Sequence, residues 1–225
     1  MDTMFDTLLQ LPLFQGLTKE DFTNILGKVK LHFTKVPEYK PLAIEGDPCN
    51  DLIYLLRGET NLVTTPRHDL FTLYEFLEGP CLLEPQAMFG LRSNYSASYY
   101  VTSKEAHILS ISKAFVMKEL WRYDIFRLNF ANILCNRAQS FKARLWLTPP
   151  EDIEGRIAYF ICQHCDYDKG RKILKIKMDD LGRIINETRL NVSKALNKMQ
   201  SDGWIELRRG EIVVPQLELL TENCL

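Results

Sequence analysis

The sequence predicts an α+β chain in three parts: an antiparallel barrel, sandwich or roll, one long helix, and a small domain of short helices closed by a β-hairpin. Three observations carry this. Short apolar stretches broken by turn residues fill positions 31 to 112, positions 113 to 147 run without Gly or Pro, and Asp179 to Gln200 holds two short apolar faces around Asn186-Glu187-Thr188. With 225 residues, two packed cores are expected.

In chain order, Met1 to Val29 carries apolar residues at helical spacing. Thr18 stands as an N-cap, with Asp21 three positions on where a capping box carries Glu or Gln. The turn signals that follow include Val36-Pro37, Glu45-Gly46-Asp47-Pro48, Arg57-Gly58-Glu59, Thr65-Pro66 and Glu78-Gly79-Pro80, the spacing of strands in a barrel, sandwich or roll. From Lys113, the steps Leu128, Ala131, Leu134, Ala138, Phe141 and Leu145 form a seam that a small roll cannot bury alone. The same helix of a second copy is its simplest partner.

Thr148-Pro149-Pro150 ends that helix and marks a hinge, because the residue before a proline is pushed out of the α region. The expected domains are therefore 1–112, a roll with N-terminal helices, 113–147, a dimerisation helix, and 148–225. A helix from Glu151 opens the last of these, with Ile153, Ile157, Phe160 and Ile161 on one face.

Within that last domain, Leu181, Ile184 and Ile185 make one apolar face and Val192, Ala195, Leu196 and Met199 the next, a helix-turn-helix spacing. Thr188 suits the N-cap of the second helix, Asn186 the left-handed turn, and Gly182 a close approach of the two helices. Trp204-Ile205-Glu206-Leu207 and Glu211-Ile212-Val213-Val214 flank Arg208-Arg209-Gly210 as a hairpin with a basic tip, a wing, and Lys172 to Lys177 alternates like a third strand.

Charge agrees. The chain as a whole is near neutral, at −1, but between Lys169 and Arg209 eleven basic residues face five acidic ones. Such a local excess is the footprint of a phosphate-binding face. On the second helix Thr188, Arg189, Asn191, Ser193, Lys194 and Lys198, with Arg208 and Arg209 of the wing, are the candidate contacts to double-stranded DNA: Arg189 and Asn191 to bases, Lys194 to bases or phosphate, the wing to phosphate.

The order of elements, the stretch Glu45 to Glu59, and Leu181-Gly182 with Thr188-Arg189-Leu190-Asn191-Val192-Ser193-Lys194 resemble the CRP/FNR regulators over nearly the whole chain. The resemblance implies a double-stranded β-helix (jelly-roll) of the cyclic-nucleotide-binding type, a dimerisation helix and a winged helix-turn-helix. It also implies a homodimer on a palindromic operator, a small-molecule effector in the roll, and contact with RNA polymerase if the regulator activates. The family often has Glu where this chain has Leu190, which alters the expected half-site.

The family's cyclic-nucleotide cassette pairs a Glu for ribose with an Arg for the phosphate. Here Glu84 matches the first, but Tyr95 with Ser96 occupies the place of the second, and Phe141 and Lys142 replace the hydroxyl pair that meets the base. An unpaired phosphate is costly to bury, so the expected effector is not cyclic AMP. Glu84, Tyr95, Ser96, Phe141 and Lys142 are the candidate pocket.

No cysteine precedes Cys49, which argues against the family's N-terminal iron-sulfur cluster. Cys162-Gln163-His164-Cys165 is a single CxxC at a helix end and reads as core and surface thiols rather than a metal site. Haem, through which some relatives sense carbon monoxide or nitric oxide, remains a candidate cofactor, with His32, His68, His107, Cys81 or Met88 as ligands.

No Gly-rich phosphate loop, nucleophile elbow or zinc-protease pair points to an enzyme. No apolar run approaches a membrane span, and the acidic start does not resemble a secretory signal, so a cytoplasmic protein is expected. The competing reading is a ligand-binding module that acts through protein contacts without binding DNA.

Overall fold

The structure is a computed structural model in which residues 8–28, 32–66 and 70–225 are described. The expectations for Met1 to Asp6, for Val29 and for His68 lie outside these residues. Contacts divide the chain into two units. The first comprises residues up to Glu59, Glu78–Ser96 and Val101–Lys142; the second comprises Thr60–Leu77, Ala97–Tyr100 and Ala143–Leu225.

In the first unit, helix α1 (Lys19–Lys28) starts at the expected capping box. Asp21 N–H donates to Thr18 Oγ1 at 3.0 Å and Thr18 Oγ1 to Asp21 Oδ2 at 2.7 Å, so Asp does the work of the usual Glu. Strands β1 (His32–Pro37), β3 (Asp51–Arg57), β6 (Cys81–Leu83) and β8 (Glu105–Ser112) form an antiparallel sheet in the order β1-β8-β3-β6, and the short strand β2 (Pro41–Ala43) lies between β1 and β3 in the chain. Leu52, Ile53, Tyr54 and Leu55 are all buried, as are Ile108, Leu109 and Ile111 on the strand opposite them. Gly58 ends β3 at φ 97°, where a Cβ would meet Ser103 Oγ at 2.7 Å and Glu105 O at 2.8 Å. Only glycine fits that turn.

The expected helix from Lys113 is interrupted. Helix α2 (Lys113–Lys118) is capped by the Ser112 hydroxyl, a 3₁₀ turn covers Leu120–Arg122, and α3 (Asp124–Leu145) begins after Tyr123 in extended backbone. The cause is packing: Leu120 is fully buried, and the Trp121 ring meets Phe89, Phe126 and Phe130 edge-on at 5.4 to 6.2 Å. Of the expected seam, Leu128, Ala131, Ala138, Phe141 and Leu145 are exposed and Leu134 is half-buried, and Cys135 and Lys142 are exposed beside them.

In the second unit, strands β4 (Glu59–Thr64), β5 (Phe71–Glu78), β7 (Ser98–Val101), β9 (Lys172–Ile176), β10 (Glu206–Arg208) and β11 (Glu211–Val214) run in the order β10-β11-β9-β5-β4-β7. Helices α4 (Ile153–His164), α5 (Met178–Ile185), α6 (Arg189–Ser201) and α7 (Leu217–Cys224) pack on them. Helix α7 has no counterpart in the sequence-based expectation. The wing and its third strand are as expected, but β9 also pairs with β5, from Phe71 opposite Ile176 to Glu75 opposite Lys172. Phe71 and Leu73 thereby join Ile157, Ile161, Leu181, Val192, Leu196, Met199 and Val214 in one buried cluster.

The same pairing hides an ion pair. Lys172 Nζ stands 2.9 Å from Glu75 Oε2, with side chains 0% and 1% exposed. The Asp166 and Tyr167 amides also donate to the Glu75 carboxylate, at 2.7 and 3.0 Å, and Lys172 Nζ donates to Lys169 O at 2.8 Å. Burial pushes the Glu75 carboxyl up and the Lys172 ammonium pulls it back.

Among the described residues, no helix is long and apolar enough to cross a membrane.

Candidate nucleic-acid interface and roll pocket

The turn between α5 and α6 is built from four residues with separate tasks. Asn186 adopts φ 56°, ψ 52°, the left-handed conformation an asparagine tolerates. That turns the chain so that Glu187 N–H donates to Gly182 O at 2.8 Å, and a Cβ on Gly182 would meet Glu187 O at 2.7 Å. Thr188 Oγ1 then accepts from Asn191 N–H at 3.2 Å and caps α6.

Behind the turn, Arg156 of α4 donates to Ile185 O at 3.0 Å and to Glu187 Oε1 at 2.6 Å. The Asn191 amide and the Arg156 guanidinium together hold the Glu187 carboxyl below its usual range.

Helix α6 buries Val192, Ala195, Leu196 and Met199 and turns its opposite side out. Arg189 is 70% exposed, with Asp179 Oδ2 at 3.5 Å, and Thr188 and Lys194 are also exposed. Asn191 is half-buried, and its Nδ2 donates to Glu187 Oε2 at 3.0 Å, so one of its amide hydrogens is committed to the brace. Ser193 is half-buried too. Lys198 is turned to Glu154 Oε1 at 2.9 Å, an ion pair that raises the lysine's pKa. On the wing, Arg209 is exposed beside Gly210, and Arg208 pairs with Glu206 at 3.1 Å.

Sequence reasoning missed Lys175 and Lys177, which line one open cleft of about 560 Å³ with Arg189 and Arg208. The sequence placed them on a strand beside the wing and in the basic stretch, and the pairing of β9 with β11 brings them to the cleft. The result is a face of exposed cations on a rigid base, suited to a polyanion.

The roll holds a second opening, about 420 Å³, lined by Glu45, Gly46, Glu84, Gln86, Ala87, Arg92, Asn94, Tyr95 and Ser96. Glu84 is buried in left-handed backbone at φ 34°, and its carboxylate accepts from Ser96 N–H at 2.9 Å and Ser96 Oγ at 2.6 Å. Strain of this kind in a non-glycine residue collects at binding sites. Tyr95 is buried, its hydroxyl donating to Asp51 O at 3.3 Å. Phe141 and Lys142 are exposed and do not line this opening. Arg92, which the cassette spacing passes over, does line it. Three positions separate it from Tyr95, so only the folded loop places a cation there.

Among the described residues, the haem-ligand candidates His32, Cys81, Met88 and His107 do not line that opening. His32 and His107 sit on neighbouring strands, His107 bonded to Glu105 at 3.0 Å, Met88 is fully buried, and burial raises the Cys81 thiol to about 12. Cys162 and Cys165 are buried with raised pKa values, Cys162 in the core beside Thr221. Among the described residues no group of three or more His, Cys, Asp or Glu is arranged to hold a metal ion.

Residues 155–222 match the family model described as a Crp-like helix-turn-helix domain. A curated relative, the "Cyclic AMP receptor protein" of Thermus thermophilus, is 23% identical over 219 residues, covering 94% of this chain and 95% of the relative. The solved structure of the Thermus thermophilus Catabolite Activator Protein shares the fold, with a TM-score of 0.54 and 22% identity over 94% of this chain and 97% of that one.

Proposed function

We propose that this chain, a DNA-binding transcription regulator of the CRP/FNR type, binds a palindromic operator as a homodimer and is controlled by a small molecule in the roll. One observation carries the reading. The outward face of a capped and braced α6 stands with a basic wing and presents exposed Arg189, Lys194 and Arg209 on a single unit.

A two-fold dimer would set two such faces about 34 Å apart, one turn of the duplex. Its axis would run along α3, where Leu128, Ala131, Cys135 and Ala138 leave an apolar stripe exposed. Arg189 and Asn191 would read bases, Lys194 bases or phosphate, and Arg208 and Arg209 phosphate.

The effector would sit against Glu84, Ser96 and Arg92, whose guanidinium suits an anionic group, and it would not be cyclic AMP held in the family's manner, because Tyr95 stands in the place of the phosphate-binding arginine and is itself tied to Asp51. Binding there would change the arrangement of the two reading faces. RNA polymerase is the further partner if the regulator activates, and the cytoplasm is where it would meet DNA.

Selection from a random duplex library at low salt tests the DNA reading, with enrichment of a palindrome expected. Failure to enrich or retain any duplex would overturn it. The dimer has its own check. Cys135 is the only exposed cysteine among the described residues, so copper-phenanthroline oxidation should give a covalent dimer that Cys135→Ser abolishes.

A further inference from the structure

Leu190 is 64% exposed, an apolar side chain on a surface otherwise made of Thr188, Arg189, Lys194 and Asn197. Single exposed leucines are common and need no explanation in general. This one has an unusual address. At 100° per residue it lies about 160° round α6 from buried Val192, and Lys194 shares its side one turn on. It is also the second residue of the helix, in the turn that a helix-turn-helix points at base edges.

The residues around it are committed. Thr188 Oγ1 caps the helix, Asn191 Nδ2 holds Glu187, and the side of Arg189 faces Asp179. Leu190 makes none of these bonds, and its side chain carries no atom that could bond phosphate or a base heteroatom. What it can do at a major-groove floor is cover a methyl group, and only one base pair presents one there, through the thymine 5-methyl.

We infer that Leu190 is a specificity-determining residue that reads a thymine methyl in each half-site, next to the base pair read by Arg189. This rests on the DNA-binding reading above. A glutamate at the same place would instead accept from the cytosine amine, so the leucine moves the preference at one position from cytosine to thymine.

The test uses the full chain and the duplex selected above. Each thymine is replaced in turn by deoxyuridine, which removes the methyl and leaves every hydrogen-bonding atom in place. One position per half-site should weaken binding about fourfold, the size of one buried methyl, and both together about fifteenfold. Leu190→Ala should bind uracil and thymine operators equally, and selection with Leu190→Glu should return cytosine at that position.

If no thymine in the selected site is methyl-sensitive, or if Leu190→Ala keeps the sensitivity, the inference is wrong while DNA binding stands. If no duplex is retained at low salt, the DNA reading and the inference fall together.

Discussion

The helix-turn-helix face and the roll pocket are built on opposite plans. On the first, the groups that would touch a ligand are long, exposed cations whose acidic neighbours are also in water. The rigid parts lie behind, in the contact of Gly182 with Glu187 and in the Arg156 brace. In the second, a carboxylate is buried in strained backbone and accepts from the amide and hydroxyl of Ser96. A polyanion can be met by exposed charges with little desolvation, at the cost of salt sensitivity. A small molecule needs a site that is already dry and already shaped.

Four substitutions would break or sharpen that contrast. The largest effect is expected from Lys172→Met, because the exposed face rests on an interior that hides charge as thoroughly as the pocket does. It strands the Glu75 carboxylate, so urea denaturation should show a loss of about 3–5 kcal/mol, and Glu75→Leu added to it should restore most of that. A loss of under about 1 kcal/mol would put the pair on the same footing as a surface ion pair.

Arg189→Ala comes next. Affinity for the selected operator should fall by about 1–3 kcal/mol with little change on random duplex, as expected if Arg189 reads a base. Equal losses on both would assign it to phosphate.

Ser96→Ala removes one donor from the buried Glu84 carboxylate and should lower the stability of the roll by about 1–2 kcal/mol in a thermal melt. An unchanged melt would show the pocket carboxylate to be as well solvated as the acids of the reading face. The smallest effect belongs to Arg209→Ala, which should weaken specific and random DNA alike and reduce the salt slope by about 0.9. Loss confined to the specific operator would make the wing a base reader.

The same contrast explains what could be read without coordinates. The helix-turn-helix is local: Gly182, Asn186, Thr188 and the apolar steps on either side act within about twenty residues, and each was found where its spacing put it. The pocket gathers residues from Glu45 to Ser96, so Arg92 was missed, and Phe141 with Lys142, assigned to it from the family's base-contacting pair on the long helix, do not line the opening.

Long-range pairing was invisible in the same way. The alternation of β9 announces a strand but not that β5 lies along its other edge, and Glu75, in phase with Phe71, Leu73 and Leu77 on β5, gives no hint of the lysine that meets it. The seam steps of α3 came out exposed except Leu134, which is half-buried, whereas the inward side is set by the Trp121, Phe126 and Phe130 cluster, which periodicity along the helix cannot see.

The Glu75–Lys172 pair also bears on how such a sequence can drift. The two positions are 97 residues apart, yet replacing either alone strands its partner in a place water does not reach. Any lineage that loses one must lose or exchange the other almost at once. Among homologues, positions 75 and 172 should therefore change as a couple, and that correlation would betray the β5–β9 junction to a reader who had only an alignment.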